Sequence, residues 1–131
     1  MARLNPTTFT RHRPRPESRF RKSALAFDLW RETNELKLEK AWRLHGRNAK
    51  TLAKRADGTL ILEIVSAGKL VMPHFAPSSV QIHVLSGRLR VHLRDSPVDV
   101  GAGHALWLEP NLHYGLEALE DCSYTLFVCG G

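Results

Sequence analysis

The chain has 131 residues, 43% of them hydrophobic, and a formal net charge of +6. That length suits one domain with a sizeable core, and no stretch approaches the ~18 consecutive apolar residues of a membrane-spanning helix. The basic N-terminus lacks the apolar segment of a secretory signal; its arginines and scarcity of acids suit a transit peptide, but a soluble cytoplasmic protein without membrane contact is the simpler expectation.

The charge is local. Residues 1–24 carry Arg3, Arg11, Arg13, Arg15, Arg19, Arg21 and Lys22 against Glu17, and the rest of the chain is neutral. Residues 1–22, with Pro6, Pro14 and Pro16 and few apolar groups, cannot bury enough surface to offset chain entropy and read as a flexible basic tail. Residues 23–49 form an N-terminal arm. Leu25, Phe27, Leu29 and Trp30 suit a short helix or a docked extended segment, and Trp42 and Leu44 are its expected anchors.

From residue 50 to 131 the pattern is that of a β-barrel. Apolar runs at Leu60–Val65, Leu70–Phe75, Val80–Leu85, Leu89–Arg94, Val98–Val100, Ala105–Leu108, Gly115–Ala118 and Tyr124–Val128 alternate with turn residues such as Asp57-Gly58, Ser86-Gly87 and Pro110-Asn111. About eight short strands at this spacing predict an all-β sandwich or closed barrel. No helix-length segment separates them, which argues against a parallel α/β fold. In Arg88–Arg94 the apolar side chains share one face and Arg88, Arg90, His92 and Arg94 the other, so this strand has a core face and a wet face. Val80, Ile82 and Val84 likewise point away from Gln81 and His83. Ala105–Leu108 and Tyr124–Val128 are apolar on both faces and need an outer cover, supplied by the arm or by a second copy of the chain. Cys122 and Cys129, seven residues apart on one strand, face opposite sides ~23 Å apart. They are read as unbridged thiols in a reducing compartment.

Two segments carry a family resemblance. Gly68-Lys-Leu-Val-Met-Pro-His74, followed by Val80-Gln-Ile-His-Val-Leu-Ser-Gly87-Arg-Leu-Arg-Val91, resembles the first cupin motif. Gly103-His-Ala-Leu-Trp-Leu-Glu-Pro110-Asn-Leu-His-Tyr114 resembles the second, and Leu116–Leu126 looks like the closing strands of small single-domain cupins. The resemblance implies a double-stranded β-helix, or jelly-roll barrel, behind a short helical or extended arm. Metal-dependent cupins draw three ligands from the first motif and one from the second. Those positions fall here on His74, Ala76, Val80 and Tyr114, with His113 one residue early, so one ligand is clearly retained. A catalytic metal needs about three converging protein ligands. No metal or other cofactor is therefore expected, and any divalent ion would have to rest on His74 and His113. His83 faces away from Val80, and His104 lies at a strand entrance.

The expected pocket holds His74, Ala76, Val80, Ile82, Trp107, His113 and Tyr114, a mostly apolar cavity suited to a small molecule. No carboxylate is visibly poised to orient an imidazole there; Glu63 and Glu109 are the candidates. Structural readings stand beside these: His74 packed and hydrogen-bonded, Trp107 in the core, Tyr114 on the rim. The leading functional expectation is small-molecule binding in the barrel of a homodimer without a full metal site. One alternative is a metal-dependent enzyme of oxygenase or isomerase type with an altered ligand set. The other is association with nucleic acid through the Arg-rich tail. Whether the chain is an enzyme stays open at this point.

Overall fold

The computed structural model describes residues 23–130; the expected basic tail, 1–22, lies outside the described residues. Two short helices, α1 (Leu29–Leu38) and α2 (Lys40–His45), lead into nine strands. These are β1 (Arg47–Arg55), β2 (Gly58–Val65), β3 (Leu70–Ala76), β4 (Val80–Ser86), β5 (Arg88–His92), β6 (Val98–Gly101), β7 (Ala105–Leu108), β8 (Leu112–Ala118) and β9 (Cys122–Cys129). The strands form two antiparallel sheets, one ordered β1-β2-β9-β4-β7 and the other β3-β8-β5-β6. Each expected apolar run lies in a strand except the end of Leu89–Arg94, because β5 stops at His92. β1 is the addition: Arg47-Asn-Ala-Lys-Thr-Leu-Ala-Lys-Arg55 is poor in β-branched and aromatic residues, and its pairing with β2 makes it a strand three residues before the β pattern begins.

The sheets pack face to face around one apolar cluster that includes Val65, Val80, Ile82, Val84, Leu89, Val91, Leu116, Tyr124 and Leu126. Period two places the opposite set on the outside, and in β2 that set is also apolar. Leu60, Leu62 and Ile64 form a second cluster with Leu36 of α1, Leu52 of β1, Phe27, Trp42 and Leu85 of β4. The β1–β2 side of the five-stranded sheet is thus covered twice, by the other sheet within and by the helical arm without, while the outer faces of β4 and β7 are exposed at Gln81, His83, Ala105 and Trp107. Each fully buried aliphatic side chain contributes roughly 1.5–3 kcal/mol, so the arm is an integral layer of the fold.

Polar contacts fix the arm in place. The Asp28 side chain caps α1 by accepting from the Arg31 N–H at 3.1 Å. Asn48 donates through Nδ2 to the Leu36 carbonyl and to Glu39 Oε1, both at 3.0 Å, so that the Leu36 carbonyl at the helix end accepts from Asn48 as well as from the Glu39 N–H. Beneath the helix, Lys50 Nζ meets Glu32 Oε1 at 2.5 Å, and both residues are buried. Gly46 ends α2 at φ 64°. Of the expected anchors, Trp42 packs into the outer cluster while Leu44 faces solvent.

The β4–β5 turn depends on Gly87. Its φ is +81°, and a Cβ there would sit 2.2 Å from the Asp121 carbonyl oxygen. Gly87→Ala combines left-handed strain with a backbone clash and is expected to cost about 2 kcal/mol or more, read as a lower urea midpoint. Lys50→Met strands Glu32 beneath the helix and is expected to cost about 3 kcal/mol. The pair Glu32→Leu/Lys50→Met should recover most of that loss, and a double-mutant cycle in urea measures both.

Candidate functional site

Strand alternation builds the inner wall. β4 contributes Val80, Ile82 and Val84, β9 contributes Tyr124 and Leu126, and β8 contributes Tyr114 and Leu116, all buried in the inner cluster. Into this apolar wall β2 places one carboxylate, Glu63, between Ile61 and Val65. Glu63 stands opposite Tyr124 in the β2–β9 register, and the Tyr124 hydroxyl donates to its Oε1 at 2.5 Å. Arg47, at the start of β1, brings Nη2 to 3.9 Å from the other carboxylate oxygen, Oε2. A buried carboxylate without partners is strongly destabilising; a phenol donor and a nearby guanidinium supply them here.

His74 reaches the same wall through a bulge. Val71 pairs with Leu116 and His74 with Tyr114, so three steps on β3 oppose two on β8. The extra residue, in the Met72-Pro73 stretch, reverses the alternation and turns His74 to the side of Val71. Proline has no N–H to give the ladder, which suits it to an irregular position on an edge strand. The His74 and Tyr114 rings lie 5.6 Å apart between centroids. A polar seam therefore crosses the barrel from His74 and Tyr114 in one sheet to Glu63, Tyr124 and Arg47 in the other.

Exposure shows where solvent meets this wall. Inward residues of β4 and β5 and those at the centre of β8 and β9 are buried, whereas His74 on β3, Thr51 on the inward register of β1 and the Arg47 side chain, 41% exposed, reach water. The opposite side is closed: the Val84 N–H donates to the His104 carbonyl at 3.0 Å and the Gly103 N–H to the Val84 carbonyl at 2.8 Å. The accessible margin of the barrel is therefore the β1/β3 side.

Burial and the Glu63 charge shape the acidities of its neighbours. Burial, then the charge and hydrogen bond of Glu63, push the Tyr124 phenol well above its ordinary range. Burial first and Glu63 second raise Tyr114. Cys122 is pushed up to about 12, mainly by burial and then by Asp121, Glu63 and Glu120. All three are protonated at neutral pH, and the Cys122 thiol is a poor nucleophile.

Ala76, Val80, Ile82 and Tyr114 stand on the inner wall, and His74 stands at its open margin. Two expected pocket residues lie elsewhere. Trp107 pairs with Gln81 on the outward register of β7 and is 53% exposed. An apolar-on-both-faces strand gives no parity signal, and the smaller Leu106 and Leu108 take the inner positions. His113 precedes inward Tyr114 by one residue and so points outward, where its ring packs 4.8 Å from that of Phe75. His74 and His113 occupy opposite faces of one sheet and cannot share an ion. His83 is exposed on the outer face of β4, and His104 is exposed in the turn before β7. Glu63 is engaged by Tyr124, and Glu109 is exposed. Arg47 and Tyr124 were not among the expected site residues. A lone acid inside Leu60-Ile-Leu-Glu-Ile-Val65 is the signal that leads to them, because a buried carboxylate requires partners.

No family model matches the sequence, and no curated protein matches it. Solved structures do. A conserved protein of unknown function from Streptococcus pyogenes superposes with a TM-score of 0.67 at 21% identity, over 84% of this chain and 90% of its own. A cupin superfamily protein from Desulfitobacterium hafniense gives 0.64 at 13% identity, over 99% and 100%. A cupin-2 domain protein from Shewanella frigidimarina gives 0.61 at 17% identity, over 76% and 91%. The chain has the fold of a small cupin. At these identities the likeness establishes the barrel and leaves its chemistry to the residues.

Those residues do not fit a cupin metal. Of the positions that the motifs assign to ligands, Ala76 and Val80 have no donor atom, and Tyr114 supplies a phenol whose proton is held tightly. Among the described residues His74 is the one imidazole on the inner face. Among the described residues no group of three or more His, Cys, Asp or Glu side chains is placed to hold an ion.

The raised acidities have a stability consequence. Above the ordinary thiol value of 9.0, the unfolded chain releases the Cys122 proton that the folded chain retains until about pH 12. This contribution is full below pH 9 and is lost as pH rises toward 12, with the tyrosines acting in the same direction. Urea midpoints should fall steadily across that window. Tyr124→Phe should cost about 1–2 kcal/mol at pH 7 by removing a donor from buried Glu63.

Proposed function

We propose that the barrel binds a small organic molecule between its sheets, without a bound metal. The observation that carries this reading is the polar seam of His74, Tyr114, Glu63 and Arg47, set in an otherwise apolar wall and reached by solvent along the β1/β3 side. Ligand sites commonly combine apolar lining with a few convergent polar groups. Glu63 offers an acceptor, Arg47 and His74 offer donors, and Tyr114 offers a hydroxyl and a ring face against which a carbon skeleton packs. A molecule with apolar surface and one or two hydroxyl or carbonyl groups matches this set. The absence of donors at Ala76 and Val80 supports a binding mode independent of an ion.

A thermal-shift screen of metabolites tests the reading. A ligand that binds only the folded state adds about 2.7 kcal/mol at a hundredfold excess over its Kd, enough to raise Tm by several degrees. The expected result is stabilisation by an organic compound in the presence of a chelator, reduced at least tenfold in affinity by Glu63→Gln or Tyr114→Phe. Stabilisation by divalent metals alone would overturn the proposal.

A further inference from the structure

Glu63 keeps one carboxylate oxygen uncommitted. Its Oε1 accepts the Tyr124 hydroxyl. Its Oε2 accepts no hydrogen bond among the described residues and faces Arg47 Nη2 at 3.9 Å. That distance exceeds the ~3.2 Å reach of an N–H···O bond. Glu63 is 9% exposed, and a buried oxygen without a donor is costly. Elsewhere acid–base pairs close directly: Arg90 meets Asp99 at 2.7 Å, His92 meets Glu117 at 2.8 Å and Lys50 meets Glu32 at 2.5 Å. The Arg47–Glu63 pair is held apart.

The register shows where the gap lies. Ala49 of β1, Glu63 of β2 and Tyr124 of β9 form one row across the inner face. Tyr124 closes one side of Glu63. The other side holds only the Ala49 methyl, which offers no donor. Arg47 stands two residues before Ala49, opposite Val65, and approaches Oε2 diagonally. β1 is the edge of its sheet, so this end of the row belongs to the margin that solvent reaches. Ala49 is half-buried there and Thr51 exposed.

The two charges cancel, and the gap sets what can fill it. A group meeting both must accept from Nη2 and donate to Oε2. One oxygen at about 3 Å from each atom spans the 3.9 Å between them. A neutral hydroxyl has both functions. A carbonyl only accepts and leaves Oε2 unpaired. A carboxylate accepts from Arg47 but brings a second negative charge against Oε2. An ammonium donates to Oε2 but brings a second positive charge against Arg47. Such repulsion grows where burial removes water.

We infer that Arg47 and Glu63 form a hydroxyl-reading pair at the β1 margin, selecting neutral alcohols over carboxylates and amines of the same shape. The inference rests on the barrel-binding reading and narrows it to compounds that place a hydroxyl at this pair. Tyr124 is a positioning residue: by occupying Oε1 it leaves Oε2 as the oxygen that a ligand meets. A site built to hydrogen-bond a hydroxyl discriminates strongly against analogues that leave its buried partner unpaired.

Three matched probes test it: cyclohexylmethanol, cyclohexanecarboxylate and cyclohexylmethylamine. Each is titrated against the full chain at neutral pH with a chelator present and followed by ligand-observed NMR. The alcohol should bind at least about tenfold more tightly than either charged probe. Glu63→Gln keeps an oxygen for Tyr124 and turns an N–H donor toward the ligand, beside an Arg47 charge no longer balanced. The order should then reverse, with the carboxylate binding at least about tenfold better than the alcohol. Arg47→Met should instead favour the amine, and it decides the matter alone if Glu63→Gln does not fold. Variants that weaken all three probes equally overturn the inference, because a purely structural pair would do so. A wild-type preference for a charged probe, or equal binding of all three, also overturns it while leaving the barrel-binding reading in place. If none of the three binds, the inference falls, and the barrel-binding reading falls with it only where the metabolite screen is empty too.

Discussion

The β1–β2 side of the five-stranded sheet has to bury both of its faces, and the rest of the molecule is arranged around that constraint. In β2, Ile61 and Val65 belong to the barrel while Leu60, Leu62 and Ile64 belong to the outside. A strand of this kind is stable only between two apolar layers. The second sheet is one layer, and the arm from Phe27 to Trp42 is the other. The arm in turn needs its own fixings, and the buried Lys50–Glu32 contact and the Asn48 bonds to the end of α1 are the means. Because Lys50 and Asn48 sit on β1, the strand that begins with Arg47, the outer layer and the open margin of the barrel are parts of one mechanical unit.

The same alternation makes Glu63 conspicuous. It occupies an inward position in a strand otherwise made of aliphatics, and its desolvation is offset by the Tyr124 hydroxyl and the nearby Arg47 guanidinium. An apolar residue of similar size would be easier to accommodate there, since isolated buried charges are destabilising unless well partnered. Keeping a carboxylate at that place gives the wall an acceptor with fixed direction, and this distinguishes the wall from an ordinary apolar core.

Much of the architecture is legible in the residues because a two-residue period is hard to mistake where one face is wet. Val80-Gln-Ile-His-Val84 and Arg88-Leu-Arg-Val-His92 announce their inner and outer sides directly. Where both faces are apolar, as in Ala105-Leu-Trp-Leu108, period carries no direction, and Trp107 is drawn inward on hydrophobicity alone. The choice between His113 and Tyr114 is a one-residue matter of register, and such a slip exchanges the faces. β1 escapes a pattern reading because its residues have little strand preference; pairing and the helix above it impose the conformation. The seam is harder still, since it joins residues from β1, β2, β3, β8 and β9 that no local spacing connects.

The bulge in β3 makes the orientation of His74 a property of strand pairing rather than of side-chain chemistry. One residue fewer between Val71 and His74 would remove the bulge and still leave the imidazole opposite Tyr114, whereas the present length paired without a bulge would turn His74 outside and bring Phe75 in. The irregularity therefore decides which ring of this segment lines the barrel, with the strand order and the helical cover unchanged. Because β3 is an edge strand, paired on one side only, it can carry that irregularity without a second neighbour having to follow it.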